Sequence, residues 1–192
     1  MDLDLMAQKY INDGYLVISE IFDQATVESI QAEIPKFRDG TYPVQDPFNQ
    51  TSTDSGLLAV HFPHWVSRPI FETLDHPNIK EVLQIIVGAH IPHWDGRVKC
   101  MQSMLFLKPP GFPGQAWHQD ERFIPTRDRS LVGVWIALDD ATLDNGCLRV
   151  IPGSHKMGQL WPTRPHNETE EFDLSDESYG FNSDDEEIVE VK

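Results

Sequence analysis

Residues 97–107 read Arg97-Val98-Lys99-Cys100-Met101-Gln102-Ser103-Met104-Leu105-Phe106-Leu107, and here the hydrophobic period of the chain changes. Upstream, apolar residues recur at helical spacing; from this stretch on they alternate, and turn residues become frequent. Helices first and strands afterwards predict an α+β fold, with helices packed outside a β-sandwich or barrel.

Toward the N-terminus, Leu3, Met6 and Tyr10 share one helical face, and Asp13-Gly14 stops that helix before the apolar run Tyr15-Leu16-Val17-Ile18, read as a strand. Asp23 caps a second helix with the stripe Val27, Ile30 and Ile34, which Pro35 should kink or end. Residues 41–55, rich in Pro, Asn, Asp, Ser and Thr, read as a loop. Pro77 in a first turn, then Ile79, Val82, Leu83 and Ile86, then Gly88, define a third helix. Toward the C-terminus, residues 98–107, 131–138 and 147–151 are strand candidates, the last entered through the Asp144-Asn145-Gly146 turn. The jelly roll is the expected core. The organisation is thus one domain over residues 1–192: a helical region over residues 1–96, a jelly-roll region over 97–165 and an acidic segment over 166–192.

A chain of 192 residues, 40% of them hydrophobic, can bury one real core. Its net charge of −16 excludes nucleic acid as a partner, because phosphates would be repelled. That charge is concentrated: residues 168–192 hold eleven acidic residues and one basic residue. Such a run reads as solvated surface or disorder. No stretch of 18 apolar residues or secretory leader is visible, so a soluble, cytoplasmic protein with no membrane segment is expected. Cys100 and Cys147 suggest neither a disulfide framework nor a zinc site, and are expected as buried small hydrophobes. Asn167-Glu168-Thr169 fits a glycosylation acceptor, which means little without a secretion signal.

The chemistry rests on Trp117-His118-Gln119-Asp120. On a strand, residues i and i+2 face the same way, so His118 and Asp120 can bind one ion from a single rigid element. An imidazole and a carboxylate are two of the three ligands of the facial triad that holds iron(II) with positions left open. By itself the spacing is weak: with eight histidines in the chain, about one His-x-Asp arises by chance. A second match, His93-Trp94-Asp95, lies between Pro92 and Gly96 and reads as a turn. His166-Asn167-Glu168 is a looser match before the acidic segment.

The surroundings of His118 raise it above chance. The stretches Met101 through Pro110, Gln115-Ala116-Trp117-His118-Gln119-Asp120, Leu131-Val132-Gly133-Val134-Trp135-Ile136-Ala137-Leu138-Asp139-Asp140 and Asp144-Asn145-Gly146-Cys147-Leu148-Arg149-Val150-Ile151-Pro152-Gly153-Ser154-His155-Lys156 together resemble the phytanoyl-CoA dioxygenase family, as does the opening Asp13-Gly14-Tyr15-Leu16-Val17. The resemblance implies a cupin-like double-stranded β-helix, the jelly roll. It implies iron(II) held by His118 and Asp120, 2-oxoglutarate as cosubstrate beside Met104, Trp135 and His61, and ascorbate as reductant. The implied reaction is hydroxylation of a small organic substrate. His155 reads as a structural turn residue, and Asp139-Asp140 as a hairpin end. Trp117, Phe123 and Arg127 are candidates for substrate contact, with a solvated loop the equal reading for Arg127.

The family pattern also has a distal histidine as third ligand, then an arginine that pairs with the far carboxylate of 2-oxoglutarate. Neither has a counterpart before Lys192. The expectation is a chain that stops roughly a strand and a half short. The alternative reading is therefore a truncated, inactive family member or a non-catalytic binding protein.

Overall fold

The computed structural model describes residues 3–43, 52–53, 56–57, 59–89, 91, 93–112, 114–156, 160–166 and 176–191. In chain order the elements are α1 (Leu3–Asp13), α2 (Gln24–Gln31), α3 (Ile34–Arg38), β1 (Ser52–Thr53), β2 (Gly56–Leu57), β3 (Ala59–His61), α4 (Arg68–Leu74), α5 (Pro77–Gly88), β4 (Met104–Phe106), β5 (Leu148–Val150), β6 (Thr163–Arg164), β7 (Glu177–Ser178) and β8 (Glu187–Val189). Short 3₁₀ turns lie at Pro63–Trp65, Asp120–Arg122 and Ser183–Asp185. The strands form antiparallel pairs, β1 with β2, β3 with β4, β5 with β8 and β6 with β7. No helix among the described residues is long and apolar enough to cross a membrane.

The chain forms two compact units. One comprises Glu20–Glu81 and Val98–Gly111. Asp23 caps its helix α2, accepting from the Thr26 amide at 2.9 Å. Pro35 ends that helix and starts α3, as its missing N–H requires. Ile30, Phe37, Val60, Ile70 and Leu105 are buried, and each such side chain contributes about 1.5–3 kcal/mol. The polar centre of this unit is Glu33, 4% exposed. Its carboxylate accepts from Lys36 Nζ at 2.6 Å, Ser67 Oγ at 2.7 Å and Tyr42 Oη at 2.8 Å. Ser67 in turn caps α4. The unit also holds the ladder in which His61 faces Met104, Val60 faces Leu105 and Ala59 faces Phe106.

The other unit comprises Met1–Ser19, Val82–Arg97 and Phe112–Lys192. At the end of α1, Gly14 takes φ +83° and its amide bonds back to the Tyr10 carbonyl at 2.8 Å. The exposed helix-end carbonyls need donors. The turn at 152–155 supplies them: Gly153 N–H donates to Asp13 O at 2.8 Å and His155 Nε2 donates to Ile11 O at 3.1 Å. A Cβ on Gly14 would lie 2.2 Å from His155 Nδ1, so only glycine fits. The Asp-Gly and Pro-Gly-Ser-His motifs, far apart in sequence, are thus one interlocking contact. Tyr15 donates to Glu187 at the start of β8, and that bond pushes the phenol pKa up to about 12. Thr142 and Asn145 hold the turn before β5.

Several expectations are corrected. Residues 15–18 form no strand; the strands of the first half are β1, β2 and β3. Of residues 98–107 only Met104–Phe106 is laddered, because its partner β3 is three residues long. Residues 131–138 form no strand, and Val134 and Trp135 are exposed there. The α+β class holds, and among the described residues the strands pair two by two. The acidic segment is not simply solvated: β7 and β8 come from it, and Val191 bridges to Ala141. Val189 and Val191 lie on one face of the extended backbone with Glu190 turned to the other, which lets the segment pair despite its charge. Cys100 is exposed and Cys147 intermediate, both free thiols. Much of the loop read at 41–55, and the Asn167-Glu168-Thr169 acceptor, lie outside the described residues.

Replacing Glu33 by alanine leaves the buried Ser67 hydroxyl and the part-buried Lys36 and Tyr42 donors without their acceptor, and is expected to cost about 2–4 kcal/mol of stability in urea unfolding at pH 7. Burial alone would raise the Glu33 pKa, but the bonds from Lys36, Ser67 and Tyr42 outweigh it and hold the pKa below the ordinary value of 4.5. A depressed folded-state pKa stabilises the fold above the unfolded value and loses that effect as pH falls through the folded one. The difference between wild type and Glu33→Gln is therefore expected to be full at neutral pH and to shrink below about pH 4.5.

Candidate metal centre

His118 and Asp120 lie on an extended segment that enters a 3₁₀ turn, not in mid-strand as the sequence implied. Gln119 has φ −118° and ψ 122°, which is extended backbone, and so the i, i+2 argument survives without a ladder. His118 Nδ1 lies 2.7 Å from the carbonyl oxygen of buried Ala116. A carbonyl only accepts, so Nδ1 carries a proton and Nε2 is the nitrogen left for an ion. Nε2 stands 3.4 Å from Asp120 Oδ1. A proton on Nε2 bridges the pair, and this hydrogen bond from His118 is the main cause that holds the Asp120 pKa below the usual carboxylate value, against the opposing effect of burial; a bound ion would take the place of that proton.

This donor pair fits a first-row metal ion. Bonds of about 2.1 Å place neighbouring ligands about 3 Å apart, close to the spacing found here. The imidazole is held through its other nitrogen, as metal-binding histidines are. Both side chains reach solvent, at 31% and 57% exposure, which leaves room for further ligands. Among the described residues no cluster of three or more His, Cys, Asp or Glu is present, so the pair is an open two-ligand set.

Neighbouring groups shape the pair. The Phe123 ring stands edge-on to His118 with centroids 6.3 Å apart, and is half exposed. A Cβ on Gly133 would lie 3.3 Å from Asp120 Oδ2, so the bare backbone at 133 allows the carboxylate its place. Glu121 was not singled out by sequence. Its carboxylate accepts from Thr126 N at 2.6 Å, Thr126 Oγ1 at 2.7 Å and Leu131 N at 3.1 Å, which folds residues 121–131 into a fixed loop. No spacing rule signals such a residue; only its place directly after the His-x-Asp does. Arg127 is exposed and pairs with adjacent Asp128 at 2.6 Å, which favours the solvated reading.

The other sequence candidates fall as follows. His61 is buried and faces Met104, which is 36% exposed, across β3 and β4. Beside them, His64 Nδ1 lies 2.6 Å from Ser103 Oγ, and burial lowers the His64 pKa, so its ring is neutral at neutral pH. Trp135 is exposed, two residues beyond Gly133. The structure therefore brings His118 together with Asp120, and His61 together with Met104. His93 sits at φ +63° in a turn, and Asp95 is committed to Arg97, which bonds it through backbone N–H, Nε and Nη2. The turn reading of that second match holds.

An imidazole and a carboxylate two residues apart, with the imidazole anchored through Nδ1 and both side chains reaching solvent, have the donor types and spacing of two members of a facial triad. The family model for phytanoyl-CoA dioxygenase (PhyH) matches residues 10–192, and the chain belongs to that family. It is 56% identical over 59 residues to a phytanoyl-CoA dioxygenase of Arabidopsis thaliana, across 30% of this chain and 21% of that protein. It is 42% identical over 92 residues to phytanoyl-CoA dioxygenase domain-containing protein 1 of Bos taurus, across 47% of this chain and 30% of that protein. It is 27% identical over 173 residues to a probable alpha-ketoglutarate-dependent hypophosphite dioxygenase of Stutzerimonas stutzeri, across 86% of this chain and 57% of that protein. The matches thus span about a fifth to under two thirds of these relatives' lengths.

His118→Ala is expected to abolish iron(II) binding measured by equilibrium dialysis, while His93→Ala leaves it unchanged. The reverse result would place the ion at His93-Trp94-Asp95 instead.

Proposed function

We propose that this chain carries the iron and cosubstrate machinery of a non-haem iron(II), 2-oxoglutarate-dependent dioxygenase that hydroxylates a small organic substrate, in a jelly-roll domain spanning residues 1–192. The observation that carries the reading is the His118 Nε2 and Asp120 Oδ1 pair, with Nδ1 anchored on Ala116. Family membership and the alpha-ketoglutarate-dependent relative support the cosubstrate. Bound iron(II) and 2-oxoglutarate supply the oxidising chemistry, in which dioxygen yields a hydroxylated substrate, succinate and carbon dioxide.

In this reading His118 and Asp120 hold the ion. By resemblance to the family, Met104, Trp135 and His61 are the residues proposed to contact the cosubstrate. Phe123, beside the His118 ring, limits water near the ion and gives an apolar substrate a surface. A cytoplasmic setting with ascorbate keeps the metal reduced. The second reading is a non-catalytic binding member of the family, in which the partly exposed His118 and Asp120 pair would hold an ion without turnover.

Succinate release from 2-oxoglutarate by the purified chain, with iron(II), ascorbate and oxygen and no added substrate, separates the two. The dioxygenase reading expects turnover that disappears in His118→Ala and a KM for 2-oxoglutarate raised about tenfold in Trp135→Ala, or about 1.4 kcal/mol. A folded chain that binds iron(II) without forming succinate establishes the binding reading instead.

A further inference from the structure

We propose that Gln119, the residue between the two candidate ligands, is a positioning residue that sets the His118 and Asp120 geometry through a hydrogen bond accepted from the Trp161 backbone. The inference rests on the reading of His118 and Asp120 as metal ligands. On extended backbone, neighbouring side chains point to opposite sides, so Gln119 turns away from the ion-facing side that 118 and 120 share. There its Oε1 accepts the Trp161 N–H at 2.8 Å. Only the oxygen of the amide can accept, so the contact also fixes which way that amide faces.

Trp161 is itself a fixed point. Its Nε1 donates to Ser154 O at 3.1 Å, within the turn that caps α1. Its ring stands edge-on to Phe181, with centroids 5.9 Å apart, and Phe181 meets Trp117 in the same way at 5.6 Å. On the N-terminal side of His118, the Trp117 carbonyl accepts from Ser178 N–H in β7 at 2.7 Å. Tyr179 N–H joins Pro162 O at 3.0 Å and keeps the flanks of β6 and β7 together. The backbone before His118 and the side chain after it are thus tied to the same pair of strands. Two anchors on either side of one residue prevent rotation of its peptide planes, the motion that would separate Nε2 from Oδ1. Ligands must be held within about 0.5 Å and 10–20° to act together. Loss of such a supporting bond lowers metal affinity by about 10–100-fold.

The test is cobalt(II) affinity of the full chain, read by visible absorption, together with hydrogen exchange at the Trp161 amide. Gln119→Met keeps the shape and removes the acceptor; Gln119→Glu keeps an acceptor oxygen in place. The expected result is cobalt(II) binding at least about tenfold weaker in Gln119→Met, with faster Trp161 exchange, and recovery of both in Gln119→Glu. Gln119→Asn, which retracts the acceptor by one methylene, is expected to behave like Gln119→Met and serves if that variant does not fold. Wild-type affinity in Gln119→Met, or unchanged Trp161 exchange, overturns the proposal. Undiminished cobalt(II) binding by His118→Ala overturns the metal reading and the proposal with it, and so is told apart from failure at Gln119 alone.

Discussion

The hydrogen bond between His118 Nδ1 and the Ala116 carbonyl decides what the site can be. An imidazole has two nitrogens of different fate, and occupying one as a donor leaves the other for an ion. Ala116 is buried, so its carbonyl is a steady partner that solvent does not displace. With Nδ1 committed, Nε2 faces the side on which Asp120 Oδ1 lies 3.4 Å away. A histidine and an aspartate at this spacing become a donor pair only through that orientation.

The pair depends in turn on elements distant in sequence. Ser178 bonds the Trp117 carbonyl, and Trp161 reaches back to the cap of α1 through Ser154. The same turn, at 152–155, closes the helix end at Ile11 and Asp13. Within this unit, motifs from the start, middle and end of the chain converge on a few hydrogen bonds. That convergence explains why His155 serves the fold: its Nε2 is spent on a helix carbonyl, and its ring fills the space that Gly14 leaves open.

Features with local causes were legible in the sequence. Gly14 and Gly88 close α1 and α5, Pro35 separates α2 from α3, and Asp144-Asn145-Gly146 turns into β5, because in each case one residue's backbone chemistry suffices. The His118 and Asp120 pairing was legible for the same reason, since extended backbone at one residue, Gln119, brings the flanking side chains to one side. Pairing between distant strands was not. Residues 131–138 are an apolar run rich in β-branched and aromatic side chains, as a buried strand is, but have no ladder, while residues 187–189 of the acidic segment, which its charge alone would assign to solvent, pair with β5. Strand-like composition reports that a segment fits a pleated surface, not which partner it has. Glu33 and Glu121 were invisible for a related cause, because a carboxylate looks like surface until the donors that surround it are known.

The central claim is that Nε2 of His118, with Nδ1 held on Ala116, is a metal-binding nitrogen. Nitrogen-15 NMR of the histidine rings during a zinc(II) titration, with zinc(II) as a diamagnetic stand-in for iron(II), tests it most directly. The account predicts a large shift of His118 Nε2 at stoichiometric metal while its Nδ1 stays protonated. Metal-induced shifts at the His93 or His155 ring with His118 unmoved, or metallation of His118 through Nδ1, would contradict it.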